Sequence, residues 1–168
     1  MKIGFIGTGN MGKAIIEGFI SSKNVKSEDI FVFDIDSKKL EILADEFKVN
    51  TTTDENEAVK SSDLIILAVK PNIYDIILEK IKNSIDNNKI ILTIAAGFSI
   101  ERAEKIIGSN KKIIRTMPNT PAQVLEGMTG IVFNKNITNE EKDTVIKLLS
   151  SFGGVEEIDE KLMHVFSA

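Results

Sequence analysis

The stretch Ile3-Gly4-Phe5-Ile6-Gly7-Thr8-Gly9-Asn10-Met11-Gly12 decides how the rest of this chain is read. Ile3 to Ile6 form a short apolar run without alternation, which suits a strand covered on both faces. From Met11 to Ile20 the apolar positions recur at helical spacing. The pattern G-x-G-x-x-G therefore falls where a strand hands over to a helix, and that context gives it meaning. Gly7 permits the tight turn, Gly9 lets a ligand approach the backbone, and Gly12 allows close helix–strand packing. Main-chain N–H groups and the positive end of the helix dipole then attract a diphosphate. The expectation is a dinucleotide lying along Ile6, Gly7, Thr8, Gly9, Asn10, Met11 and Gly12, gripped by bare amides near residue 8. A glycine turn that merely packs is the alternative.

The runs Ile30 to Phe33, Leu64 to Val69, Ile90 to Ile94 and Ile113 to Ile114 also read as doubly covered strands. Between them, Ser37 to Phe47, Ile73 to Ile85 and Ile100 to Ile107 read as helices, with Asp36 and Ser99 as N-caps. Pro118-Asn119-Thr120-Pro121 reads as irregular, because two prolines in four residues remove donors and disfavour helix. Beyond it come a strand from Met128 to Phe133 and a helix from Asn139 to Leu149 capped by Thr138. A Gly153-Gly154 turn and a short strand from Val155 to Ile158 follow. This alternation predicts an α/β fold, a doubly wound, mostly parallel, Rossmann-like sheet over residues 1–158. Residues 159–168 read as the start of a helical second domain. The chain stops at Val165-Phe166-Ser167-Ala168, still apolar, so a further domain is expected to follow.

Composition narrows the chemistry. The 168 residues are 42% hydrophobic and 27% charged, with a net charge of −4 and no basic stripe, so nucleic acid is an unexpected partner. Without cysteine there are no disulfides, zinc–thiolate sites or thiol nucleophiles, which fits a reducing cytoplasm. No apolar run approaches the ~20 residues of a membrane span, and the N-terminus lacks the pattern of a signal peptide. No Ser-His-Asp set, metal cluster or carboxylate pair is visible, and the lone histidine, His164, is assigned no chemistry.

Four further positions belong at the carboxyl ends of strands, where ligands bind in such sheets. Asp34 stands 22 residues past Gly12, where an acid accepts adenosine-ribose hydroxyls and repels a 2′-phosphate, favouring NADH. Lys38 and Lys39 could meet that phosphate instead, or be a solvated pair. Ala68-Val69-Lys70-Pro71 and Ala95-Ala96-Gly97 place small residues where a nicotinamide ribose could approach the backbone. Lys70 reads equally as a ligand to a ribose or phosphate and as an ordinary exposed lysine. Pro118 to Pro121 present the Asn119 amide and Thr120 hydroxyl on the same rim, or form a stiff connection with no ligand.

Together these segments resemble pyrroline-5-carboxylate reductase. Ile3 to Gly12, Ala68 to Pro71, Ala95 to Gly97, Ile114-Arg115-Thr116-Met117-Pro118-Asn119-Thr120-Pro121 and Glu126-Gly127-Met128-Thr129 carry the likeness. The resemblance implies NAD(P)H across the glycine turn and hydride transfer to the C=N carbon of Δ1-pyrroline-5-carboxylate, giving L-proline in the last step of proline biosynthesis. Asn119 and Thr120 would border the reacting centre. The small-molecule substrate would sit largely in a helical domain beyond Ala168, through which the whole protein would form homo-oligomers, leaving this piece alone inactive. Asp34 departs from the Ser, Thr or Asn often found there, and Asn56 falls one place after the position where relatives often carry an asparagine. Two alternatives stay open: another reductase with this first domain, of the β-hydroxyacid, prephenate or deazaflavin-linked kind, and a nucleotide-sensing module without chemistry.

Overall fold

The computed structural model describes residues 1–118 and 127–167, the side chains of Gly127, Phe152 and 164–167 excepted. Its strands are β1 (Ile3–Ile6), β2 (Ile30–Phe33), β3 (Asn50–Thr52), β4 (Leu64–Leu67), β5 (Ile90–Thr93), β6 (Lys112–Pro118), β7 (Gly127–Phe133) and β8 (Gly153–Glu157). Its α-helices are α1 (Asn10–Ser21), α2 (Ser37–Phe47), α3 (Glu55–Lys60), α4 (Tyr74–Ile81), α5 (Ile100–Ile107) and α6 (Asn139–Leu149). All strands lie in one sheet of order β3-β2-β1-β4-β5-β6-β7-β8. The first six run parallel; β7 is antiparallel to β6, and β8 runs parallel to β7. The chain thus reverses its winding between β1 and β4, the switch point of a doubly wound sheet.

Continuous apolar strands are explained by cover on both faces. Every residue of β1, β4 and β5 is buried. Alternate positions feed two cores, one around Phe5, Ile16, Phe19 and Leu43, the other around Ile65, Tyr74, Leu78 and Ile107. Each such side chain contributes about 1.5–3 kcal/mol of transfer free energy on burial. Helix starts follow local chemistry. Asp36 accepts from the Lys38 amide, Ser99 from the Arg102 amide, and Thr138 closes a reciprocal box with Glu141.

Several boundaries differ from the sequence reading. β3 and α3 carry no sequence signal: β3 is three polar residues on the sheet edge, and α3 is a six-residue helix burying only Ala58 and Val59. Ala68 and Val69 lie past the end of β4, and Ile94 past β5. The Ile73-to-Ile85 helix is an α-helix over Tyr74–Ile81 between 3-10 turns at Pro71–Ile73 and Lys82–Ser84. Pro118 is not irregular; it ends β6, paired with Thr129. Its neighbour β5 has already stopped at Thr93, opposite Arg115, so no ladder waits on that side for the missing N–H. Gly153 and Gly154 are not a turn but the first residues of β8, paired with Gly127 and Met128, and the turn is the 3-10 segment Ser150–Phe152. Glu160–Ser167 is a 3-10 helix folded back on β6 and β7. The Glu160 carboxylate holds it there, accepting from the Ile100 amide and pairing with Arg115, both at 2.9 Å. No helix among the described residues is long and apolar enough to cross a membrane.

Candidate functional site

The three glycines of the first turn have three different surroundings. Gly7 sits at φ +90°, and a Cβ there would lie 2.7 Å from Val69 Cγ1 and 2.9 Å from the Ala68 carbonyl oxygen, so only glycine fits. At Gly12 a Cβ would come within 3.0 Å of the Gly7 carbonyl oxygen and 3.1 Å of Ala68 Cβ, which seats α1 directly on the ends of β1 and β4. Gly9, at φ −64°, is unstrained, and a Cβ there would find nothing nearer than the Ala68 oxygen at 4.0 Å. It would project into open space.

Gly9 also begins α1. Its carbonyl accepts the first helical bond, from the Lys13 amide at 3.0 Å, and no side chain caps the helix. The amides of Asn10, Met11 and Gly12 therefore have no intrahelical acceptor, and no acidic residue stands in the first turn to offset the dipole. Thr8 is different. Its amide donates to Asp34 Oδ2 at 2.8 Å and its hydroxyl to the same oxygen at 2.6 Å. The expectation of bare amides near residue 8 is thus corrected: a neighbouring carboxylate takes the Thr8 N–H, and the unclaimed donors are those of residues 10 to 12.

Asp34 is buried and also accepts from the Asp36 amide, on Oδ1 at 3.0 Å. Burial pushes its carboxyl up, but the Thr8 hydroxyl, the Asp36 and Thr8 amides and the charge of Lys39 outweigh it, holding the group below its ordinary 3.8. It stays ionised at neutral pH. Three of its roughly four acceptor positions are filled, which leaves one on Oδ1.

From Gly9 a cleft of about 280 Å³ runs across the switch point. One side is Gly9, Asn10 and Met11; the far walls are Ala68, Val69, Lys70 and Pro71 after β4, and Ile94, Ala95 and Ala96 after β5, with Pro118 at the end. Nine residues singled out in the sequence thus meet in one cavity. Ile6 lies fully buried beneath it, and Gly97 is exposed beyond it at φ +73°. Asn119 and Thr120 fall outside the described residues. Lys70, Lys38 and Lys39 are exposed, while Asn56 is turned away to accept from the Ser84 hydroxyl at 2.7 Å. Pro118, placed on this rim by the sequence, lines the cleft as well; the sequence did not reveal Ile94, or Lys13, which borders a second hollow beside Thr8, Gly9 and Asn10 and pairs with Glu46 at 2.7 Å. Ile35, 94% exposed directly after Asp34, carried no sequence signal either. A wider hollow between α2 and β3 contains none of the expected residues.

A sheet reversed at β1/β4 with an uncapped glycine turn defines a Rossmann-like domain. The chain belongs to the family described as NADP oxidoreductase, coenzyme F420-dependent, which matches residues 2–97. Within that class its relatives are more particular. It is 39% identical over 163 residues to a pyrroline-5-carboxylate reductase of Escherichia coli K12, covering 97% of this chain and 61% of that protein. It is 40% identical over 168 residues to that of Aquifex aeolicus, covering all of this chain and 61% of the relative. The crystal structure of Plasmodium falciparum pyrroline carboxylate reductase with NADP bound superposes with a TM-score of 0.89 at 33% identity, over 98% of this chain and 60% of that one. The chain thus spans about three fifths of the length of these relatives.

Proposed function

We propose that this chain is the cofactor-binding part of a pyrroline-5-carboxylate reductase, taking NAD(P)H across the cleft from Gly9 to Ala96. The observation that carries the proposal is the cleft itself, which unites the unclaimed amides of α1 with the small-residue walls behind β4 and β5. Whole-chain similarity to reductases of that name supports the substrate.

The residues present fit a dinucleotide. Gly9 leaves a cradle that a side chain would fill, and three amide donors at the positive end of α1 suit a diphosphate. Bound there, the cofactor supplies a hydride for the ring C=N of Δ1-pyrroline-5-carboxylate. The chain's own part is orientation. Residues 10 to 12 would hold the phosphates, and Ala68, Ala95 and Ala96 keep the walls low enough for a nicotinamide half to approach the backbone. Lys70 offers a cation at the rim. Asp34 has one acceptor position left for an adenosine-ribose hydroxyl, and its charge opposes a 2′-phosphate, which favours NADH over NADPH.

In this reading residues 1–158 are the cofactor unit and 159–168 lead into the part that completes the substrate site, with Asn119 and Thr120 beside the reacting centre. The whole protein works in the cytoplasm as a homo-oligomer, on a small-molecule substrate and without nucleic acid. Calorimetric titration of the chain with NADH and NADPH, followed by a cofactor-oxidation assay of the whole protein with Δ1-pyrroline-5-carboxylate, tests it. The expected result is dinucleotide binding by the chain, negligible turnover by the 168 residues alone, and proline formation by the whole protein. A chain that binds neither dinucleotide, or a whole protein that forms no proline, overturns the proposal.

A further inference from the structure

The ladder between β4 and β5 has one irregular rung, directly beneath the cleft. In a parallel pair the donors alternate evenly between the two strands. The first rung runs from the Ile90 amide to the Asp63 carbonyl at 2.9 Å, and Leu67 stands level with Thr93. Stepping along that register, the last rung falls between the Ile94 amide and the Leu67 carbonyl. The Tyr74 hydroxyl occupies it instead. It donates to the Leu67 carbonyl oxygen and accepts from the Ile94 amide at 3.3 Å.

Tyr74 opens α4, is fully buried, and packs its ring against buried Phe98 with centroids 4.8 Å apart. A direct rung would hold nitrogen and oxygen about 2.9 Å apart, whereas an intervening hydroxyl separates them by up to roughly 5 Å. By that geometry the strand ends would stand up to about 2 Å farther apart than a direct rung holds them. The residues that follow at once, Ala68 to Pro71 and Ala95 to Ala96, are the far walls of the cleft. A water in this position would exchange, but a side chain anchored in α4 stays.

We infer that Tyr74 is a positioning residue whose hydroxyl wedges β4 and β5 apart and so sets the width of the cleft on the side that receives the nicotinamide. The inference rests on the dinucleotide reading above. It makes the affinity for the nicotinamide half depend on a buried hydroxyl that touches no ligand, and it leaves the adenosine–diphosphate half, held at Gly9 to Gly12, indifferent to that hydroxyl.

The test compares NADH with ADP-ribose, which carries the diphosphate and adenosine but no nicotinamide. Tyr74→Phe is expected to weaken NADH by about fivefold or more while ADP-ribose stays within about twofold. Phe98→Leu, which loosens the same packing but keeps the hydroxyl, lowers the melting temperature without changing the ratio of the two affinities. Because Tyr74 is the chain's one tyrosine, 3-fluorotyrosine incorporation labels it alone, and its ¹⁹F resonance is expected to move on NADH and not on ADP-ribose. An unchanged affinity ratio in Tyr74→Phe, or a resonance that ignores NADH, overturns the wedge while leaving the dinucleotide reading standing. A wild-type chain that binds neither ligand removes that reading, and the wedge with it.

Discussion

Replacing Gly9 with alanine should separate binding from folding. Gly9 has φ −64° and ψ −178°, open to any residue, and the added methyl would meet nothing within 4 Å except the Ala68 oxygen at 4.0 Å. Removing glycine stiffens the unfolded chain and gains about 0.4–1 kcal/mol. Alanine is a poorer N-cap than glycine by a similar amount, so net stability should stay within about 1 kcal/mol of wild type. The methyl stands where a diphosphate must approach the amides of residues 10 to 12. Loss of one charge-assisted hydrogen bond costs about 1.5–3 kcal/mol, or roughly 10- to 150-fold in Kd. Gly7→Ala is the contrasting variant. Strain at φ +90° costs about 1–2 kcal/mol, and overlap with Val69 and Ala68 about 1–3 more. After the unfolded-state gain, about 1–5 kcal/mol of destabilisation remains, a melting temperature lower by about 2–20 °C. Circular dichroism melts and calorimetric NADH titrations on both variants provide the measurement. If Gly9→Ala binds NADH within about twofold of wild type, the assignment of the cradle to the diphosphate is refuted.

Other outcomes follow from the same geometry. Asp34→Ser should shift cofactor preference toward NADPH, read as the ratio of the two Kd values, and should also lower stability by about 2–3 kcal/mol because it releases Thr8. Since the folded-state Asp34 carboxyl is held below its ordinary 3.8, its contribution to stability is present above that pH and lost as pH falls through the lower folded value. Asp34→Asn should therefore show a shallower acid limb below about pH 4 in denaturant titrations than wild type does. Tyr74 shows the opposite dependence. Burial raises its hydroxyl pKa, against the lowering effect of the Ile94 amide, so its contribution is intact below the ordinary value of 10.0 and is lost as pH rises beyond it. Tyrosinate absorbance should accordingly appear together with unfolding rather than before it. Glu160→Ala strands the largely buried Arg115 and uncaps Ile100, which should cost about 1–3 kcal/mol and speed proteolysis within 160–167.

What the sequence determined by itself lies within short reach along the chain. β1, the glycine turn and α1 were legible because a buried strand, a turn needing positive φ and a helix start each leave their mark on adjacent residues. The caps Asp36, Ser99 and Thr138 were legible for the same reason, since each bonds an amide two or three residues on. The segments after β4 and β5 could be placed on one rim because a doubly wound sheet brings its strand ends together. β3 and α3 were not legible, being too short and polar to show a period. Tertiary structure alone decided which amides of the turn stay unclaimed, because the acceptor for Thr8 comes from Asp34, 26 residues away. It also decided that Pro118 pairs with Thr129 across the sheet and that Tyr74 enters the rung between Leu67 and Ile94. Those choices depend on distances between segments remote in sequence, and such distances exist only once the strands have paired and the helices have closed over them.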